Sequence, residues 1–263
     1  MDAGRTADGA TVPPADDAVL ARWLAVRAGE ELVALRSRLG YGDPAALREG
    51  GDRLAHESIA GALARWRPDD VVFSEEQEAD DPARLAARRV WIVDPLDGTR
   101  GFAEPDRSDW AVHVALWVRG AGLVAGAVAL PARERVYATD RPLPYPPPVG
   151  APTLRLAVSR TRMPPLATAV AAELGAELVP MGSAGVKAVA VVTGEVDAYL
   201  HADGQYEWDS AAPVAVARAA GLHASRIDGT DLVYNRPDPR LPDLLICRRE
   251  VDRALLSAVA RHR

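Results

Sequence analysis

Two aspartates three positions apart, Asp94 and Asp97, stand in the stretch VWIVDPLDGTRGF, where an apolar run meets proline, glycine and threonine. Such a pattern has two readings. Asp, Pro and Gly are what tight turns use, and a turn alone would account for them. The same turn can aim both carboxylates and the Leu96 carbonyl one way, because Pro95 fixes φ and Gly98 permits close backbone approach. Hard divalent cations such as Mg2+ take oxygen ligands of that kind. Other acids raise the same choice. Glu75 and Glu76 close the run VVFSEE, where a solvated strand end would explain them. Asp209 in EWDSAAP and Asp52 in EGGDRLAHES stand where helices are expected to start, so each equally suits a helix N-cap. All four segments thus place an acid where a strand ends or a helix begins. Such ends can converge on one cleft, and uncompensated carboxylates gathered there are costly unless a cation neutralises them.

The elements that would position these acids follow from periodicity. Residues 15–39 read as an amphipathic helix, with Leu20, Trp23, Leu24, Leu32, Leu35 and Leu39 near helical spacing and Gly40 as its stop. A second helix is predicted over 52–66, with Ala55, Ile59, Ala62, Leu63 and Trp66 on one face. Strands are predicted at 71–76 and 89–94, and a strand pair at 110–118 and 123–130. Six prolines between 142 and 152 mark a connector. Beyond it come a strand (LRLAVS), a helix over 164–174, a small-residue helix (SAGVKAVAVVTG), a strand (VDAYL), a helix over 209–220 closed by Gly221, a strand (DLLICR) and a C-terminal helix. The expected organisation is a frayed start (1–14), an α+β subdomain (15–141), the connector (142–153) and an α/β subdomain (154–263), with a cleft between the two halves.

Composition narrows the classes. The chain has 263 residues, 48% hydrophobic and 26% charged, enough for a substantial core. A net charge of −6 argues against a general nucleic-acid binder. It leaves room for a small anionic substrate, because a metal ion reverses the local field. The single cysteine, Cys247, leaves no internal disulfide and fits a reducing compartment. The first residues lack the basic and apolar regions of a signal peptide, and no apolar run reaches membrane-spanning length. A soluble, cytoplasmic protein is the expectation.

DPLDGTRGF followed far downstream by EWDSAAP resembles the two signature motifs of the inositol monophosphatase superfamily, the lithium-sensitive, Mg2+-dependent sugar and nucleotide phosphatases. The order of flanking segments agrees from about residue 15 to the C-terminus. Within that group the chain is most similar to the CysQ-type 3′(2′),5′-bisphosphate nucleotidases, particularly the actinobacterial form, on the stretches SDWAVHVAL, GSAGVKA and YNRPDPRLPDLLICR. The resemblance implies a layered αβαβα sandwich of the α/β (α+β) class, with most metal ligands in the N-terminal half. It implies that Glu75 bridges metals, that Asp94 and the Leu96 carbonyl bind one ion, and that Asp97 and Asp209 complete another. Thr99, paired with Asp52, would polarise the attacking water, and the amides of Gly98 and Thr99 would hold the phosphate. Arg100, Ser183, Lys187 and His201 are the further substrate contacts it implies. Two or three Mg2+ ions are implied, with Mn2+ as a substitute and Li+ and Ca2+ as inhibitors. A homodimer is implied as well.

The implied reaction is hydrolysis of the 3′-phosphate of adenosine 3′,5′-bisphosphate to AMP by in-line attack of metal-activated water. Lys187 favours this substrate: the nucleotidases resembled carry a lysine here for the second phosphate, and it is the one lysine among 31 basic residues. The competing readings are an inositol-1-phosphatase or fructose-1,6-bisphosphatase, a specialised nucleotide phosphatase of secondary metabolism, and a catalytically silent binder. Three departures from the pattern bear on substrate choice. Gly101 replaces the usual glutamate, which is expected to loosen the loop. Asp52 follows Glu49, Gly50 and Gly51 in place of Thr-x-Ala. His201 stands where many relatives have arginine. His56 and His113 are read as structural.

Overall fold

The first helix, α1 (Asp17–Leu39), starts where the Asp16 carboxylate accepts the amides of Ala18 and Val19, and stops at Gly40 with φ +65°. These positions come from a computed structural model, which describes residues 13–77, 82–147 and 153–263. Most of the expected frayed start and residues 148–152 of the proline connector lie outside the described residues. Helix α2 (Pro44–Trp66) corrects the sequence reading, because it starts at Pro44 and not at Asp52. The Asp43 carboxylate caps it by accepting the amides of Ala45 and Ala46, with Pro44 in the first turn. Gly50 and Gly51, which precede the predicted helix start, lie inside the helix. At Gly51 a Cβ would sit 2.8 Å from Phe102 Cε1 and 2.9 Å from Leu96 Cδ2, so close packing and not a turn requires the glycine.

Strand β1 (Val71–Ser74), helix α3 (Pro82–Ala86), strand β2 (Arg89–Asp97), the short helix α4 (Thr99–Phe102), and strands β3 (Ala111–Val118), β4 (Gly122–Leu130) and β5 (Arg135–Ala138) follow. The strands form one sheet in the order β1-β2-β3-β4-β5, parallel between β1 and β2 and antiparallel elsewhere. The expected β3–β4 pair is present. The second sheet contains β6 (Arg155–Ser159), β7 (Glu177–Met181), β8 (Ala198–His201), β10 (His223–Ser225) and β12 (Leu244–Cys247), in the order β10-β12-β8-β6-β7. Helices α5 (Pro165–Leu174), α6 (Ala184–Val192), α7 (Glu207–Ala219) and α8 (Asp252–His262) complete it. A two-stranded ribbon pairs β9 (Gln205–Tyr206) with β11 (Arg240–Leu241). β5, β7, β10 and the ribbon have no counterpart in the sequence reading. β7 contains Pro180 and survives as an edge strand, where a missing amide costs no ladder bond.

Three apolar clusters define five layers. Leu20, Leu24, Leu32 and Ile59 of α1 and α2 pack on Trp91, Val93, Val112 and Leu116, one face of the first sheet. Val186, Val189, Trp208 and Val214 of α6 and α7 fill the space between Ile92, Ala115 and Val128 of the first sheet and Ala157, Tyr199 and Ile246 of the second. Val170, Leu255 and Val259 of α5 and α8 cover Leu156, Leu200 and Leu245 on the outer face. The result is the expected αβαβα sandwich. β2 is covered on both sides, which is why it reads as a continuous apolar run.

Candidate active site

The end of β2 solves a geometric problem. Side chains alternate along a strand, so residues 94 and 97 should face opposite ways. The β2–β3 register moves from Asp94 opposite His113 to Asp97 opposite Ala111, three residues against two. The extra residue is a β-bulge, and it turns both aspartates to the same face. Leu96 records the switch: it packs with Trp91 and Val93 on the helix side, although unbroken alternation would put it opposite them. Pro95 has no amide to lose at a bulge. The Asp94 Oδ1 accepts the Leu96 amide at 3.1 Å, tying the turn to itself.

The pair is buried, Asp94 at 1% and Asp97 at 8% exposure. Asp97 Oδ2 accepts the Ser183 hydroxyl at 2.5 Å and the Gly185 amide at 2.8 Å. The start of α6 is therefore clamped to the 94–97 turn, and Ser183 also caps α6 by accepting the Val186 amide. Gly185 is required, because a Cβ there would lie 2.1 Å from His113 Nε2. His113, read as structural from sequence, lies under both aspartates. Its Nε2 is 3.2 Å from Asp97 Oδ2 but off the axis of a ring N–H, so that buried nitrogen has no well-formed hydrogen bond. Its Nδ1 is 3.3 Å from the Trp208 carbonyl. One ligand atom from each of Asp94, Asp97 and His113 can be chosen so that all lie within 4.8 Å of one another. The stretch SDWAVHVAL contained this signal: His113 occupies an inward position of β3, directly opposite Asp94.

Glu75 follows β1, and its carboxyl is in contact with that of Asp94. Two carboxylates in contact need a proton or a cation between them. Glu75 is exposed at the cleft mouth, yet the protein packed around its carboxyl, with Asp209, Asp52 and Asp97 nearby, raises it to about 8. Burial, then Glu75, Asp97 and Asp209, push Asp94 well above the usual carboxylate range. Burial and then Asp97 raise Asp209 to about 6. Asp97 goes the other way: burial opposes its ionisation, but His113, Lys187 and the Ser183 hydroxyl outweigh it and bring it to about 2. Asp209 is not the expected N-cap. It is the third residue of α7, and its carboxylate reaches back to accept the Tyr206 amide at 2.7 Å. This oxygen-rich, mutually repelling set of carboxylates fits a hard divalent cation.

Asp52 sits in the middle of α2, and burial with Glu76 nearby raises it to about 7. It is therefore not a helix cap. Among the described residues no hydrogen bond joins it to Thr99, the first residue of α4. Gly98 has φ +87°, and a Cβ there would meet the Asp109 carbonyl at 2.9 Å. Arg100 is exposed. Gly101 corrects an expectation, because the loop is not loosened there. A Cβ at 101 would lie 3.1 Å from Asp109 Oδ1, so the glycine makes room for another carboxylate. Asp109 is held by Arg107 at 2.9 and 2.6 Å, by Arg160 at 3.2 Å and by the Gly182 amide at 2.8 Å.

A cavity of about 840 Å³ opens beside the acids, lined in part by Glu75, Asp97, Ser183, Lys187, His201 and Asp209. Lys187 is 5% exposed and points into it, with Nζ 5.1 Å from the Tyr199 ring centre, so it is no helix-surface lysine. Burial lowers its pKa against the pull of Asp97, Asp209 and Asp109. The His201 Nε2–H donates to the Gly204 carbonyl, 2.8 Å away, and burial lowers its pKa. Arg162, Arg236 and Arg240 also line the cavity, and sequence reasoning did not single them out.

The model of the Inositol monophosphatase family matches residues 41–142 and 152–263. The chain belongs to the inositol monophosphatase family. It is 51% identical over 253 residues to a protein of Mycobacterium leprae named 3′-phosphoadenosine 5′-phosphate phosphatase, spanning 92% of this chain and 93% of that one. A Mycobacterium tuberculosis protein of the same name is 53% identical over 239 residues, 89% of each chain. Among solved structures, CysQ from Bacteroides thetaiotaomicron superposes with a TM-score of 0.73 at 27% identity, covering 89% of this chain and 97% of that one. Among the described residues no helix is long and apolar enough to cross a membrane.

Proposed function

We propose that this phosphatase removes the 3′-phosphate from adenosine 3′,5′-bisphosphate, and that it does so with Mg2+ held by Glu75, Asp94, the Leu96 carbonyl, Asp97 and Asp209. The observation that carries the reading is the pairing of an acid cluster with one buried lysine in a single cavity. Glu75, Asp97, Asp209 and Lys187 all line it. A phosphate monoester needs the first feature, and a second phosphate on the same substrate suits the second. The names of the mycobacterial relatives support the nucleotide over a sugar phosphate.

When bound, the metal would supply charge neutralisation at the phosphate and a lowered pKa for the attacking water. The chain's own residues supply the rest. The bulge at 94–97 fixes both aspartates on one face. Ser183 and Gly185 hold one oxygen of Asp97, which leaves its other oxygen for a ligand. Asp52, raised to about 7, is poised to accept the water's proton through Thr99 as the new P–O bond forms and the bond to the 3′-oxygen breaks. The amides of Gly98 and Thr99 hold a phosphate oxygen, and Lys187 neutralises the second phosphate.

The test is phosphate release from adenosine 3′,5′-bisphosphate, inositol 1-phosphate and fructose 1,6-bisphosphate, each with Mg2+ and with EDTA. We expect the nucleotide to be preferred and EDTA to abolish turnover. A preference for either sugar phosphate would sink the nucleotidase reading, and full activity in EDTA would sink the metal assignment.

A further inference from the structure

Two buried charges near the cleft take no part in the reaction proposed above. Glu207, the first residue of α7, is 0% exposed, and Arg84 of α3 is 1% exposed. Removing a carboxylate and a guanidinium from water is costly, and an apolar pair of similar size often serves stability as well. Both act on one loop, residues 235–239. The Glu207 oxygens accept the consecutive amides of Asn235 and Arg236 at 2.6 and 2.9 Å. The Glu207 amide donates to the Pro239 carbonyl at 2.9 Å, so one residue grips the loop at both ends. The Arg84 guanidinium donates to the Arg236 and Pro237 carbonyls at 2.7 and 3.0 Å, and to the Asn235 side-chain oxygen at 3.1 Å. The Asn235 side-chain nitrogen donates in return to the Arg84 carbonyl at 2.9 Å. Asn235 has φ +58°, a conformation that persists only where the surroundings fix it.

What the loop presents is Arg236. It is exposed and lines the cavity, and among the described residues no hydrogen bond or ion pair reaches its guanidinium. The residues that hold its backbone also lean on the elements that deliver the acids. Arg84 lies over the Phe73 ring at 4.3 Å, and Phe73 meets Trp208 edge-on at 5.3 Å. Phe73 stands two residues before Glu75, and Glu207 stands two before Asp209.

We infer that Glu207 and Arg84 are positioning residues that root Arg236 at a fixed place relative to the acid cluster, where its guanidinium contacts the second anionic group of the substrate. This rests on the bisphosphate reading above and deepens it by a further specificity residue and the device behind it. A guanidinium fork matches phosphate oxygens. A long exposed side chain ranges widely, so a fixed root is what gives it a defined reach.

The test compares adenosine 3′,5′-bisphosphate with adenosine 3′-monophosphate, which lacks the second phosphate, on the Mg2+-loaded enzyme. Arg236→Met should raise KM for the bisphosphate about tenfold, the worth of a charge-assisted hydrogen bond, and KM for the monophosphate far less. Glu207→Gln keeps the shape but sets its NH2 group against one of the two loop amides. It should produce most of the same bisphosphate-selective rise, at a lower Tm. Asn235→Gly accepts the positive φ and removes the side chain that Arg84 holds, so it should move KM the same way by a smaller factor. In an Arg236→Met background Glu207→Gln should add little to KM, because a positioning residue acts through the group it positions.

Arg236→Met is a surface change, so an unselective or absent rise in KM there would overturn the inference whatever the buried variants do. Losses from Glu207→Gln and Asn235→Gly that are equal on both substrates, or fully additive with Arg236→Met, would make the buried residues structural and overturn it too. In either case a wild-type preference for the bisphosphate would leave the bisphosphate reading intact. A wild-type enzyme with no such preference would remove both.

Discussion

The two walls of the cleft are built on opposite plans. The acidic wall is anchored in the core: Asp94 and Asp97 are almost fully buried, set by a bulge in a strand covered on both faces. The basic wall is mostly hung on the surface. Arg162, Arg236 and Arg240 are exposed and come from loops and a two-residue strand, with Lys187 the one basic residue among them that is buried. Reaction chemistry demands carboxylates placed to a fraction of an ångström, which only a rigid element supplies. Substrate selection tolerates longer, more mobile side chains, and Arg and Lys bring their own reach.

This contrast makes removal of a core acid the most damaging change. Asp94→Asn keeps the shape and removes the charge. Turnover should fall by more than the about 10–100-fold that loss of an outer-shell partner costs a metal site. In EDTA the same variant should melt no lower than wild type, because it relieves a buried repulsion that no cation then offsets. Phosphate release and thermal melts with and without Mg2+ read both effects. Retained turnover would show that the buried wall is not the reactive one.

The basic wall should respond differently. Lys187→Met, which keeps the apolar stem, should raise KM for the bisphosphate about tenfold or more, the worth of a charge-assisted hydrogen bond, with kcat and the KM for a monophosphate nearly unchanged. Steady-state kinetics on both substrates separates the two walls. Equal effects on both would mean that Lys187 serves the acid cluster, which it also faces.

The acids also predict how stability depends on pH. Glu75, Asp52 and Asp209 are raised to about 8, 7 and 6, so the metal-free folded protein holds protons that the unfolded chain releases above about pH 4. Stability without metal should therefore fall as pH rises from about 4 to 8. Asp97, held at about 2, works in the opposite sense, but only below that window. Metal binding requires deprotonated ligands, so Mg2+ affinity should grow with pH over the same range and flatten the fall. Melting curves at pH 5 and 8, in EDTA and in Mg2+, test it. A metal-free Tm that rises between those pH values would contradict the raised acids.

What the sequence disclosed divides along the same line. VWIVDPLDGTRGF is one contiguous string, so strand and turn could be read from neighbouring residues, whereas the bulge needs the β3 register to be seen. EWDSAAP and VVFSEE were legible as ends of regular elements, even though Asp209 proved to be a third helix residue and not a cap. The five-layer order followed from the resemblance. The basic wall was harder, because Arg162, Arg236 and Arg240 come from separate segments and the ribbon that holds Arg240 is only two residues long on each side. No periodicity signal exists at that length. Asp52 was misplaced for a related reason: the helix was predicted to start there, and local propensity cannot register Phe102 and Leu96 packing on Gly51 from elsewhere.

That last contact gives the smallest predicted effect and the finest probe of the buried wall. Gly51→Ala improves helix propensity by about 1 kcal/mol, so an isolated α2 would gain from it. In the folded protein the new methyl would meet Phe102 and Leu96 at 2.8 and 2.9 Å, and both are buried with no room to retreat. Overpacking of that kind costs about 1–3 kcal/mol, so packing should win and Tm should drop. The displaced parts are α4, which follows the metal turn, and Leu96 within it, so kcat should fall while the Lys187-dependent KM stays put. A Tm increase would mean that α2 and α4 are less tightly joined than the packing requires. A change in KM alone would place the strain on the basic wall instead.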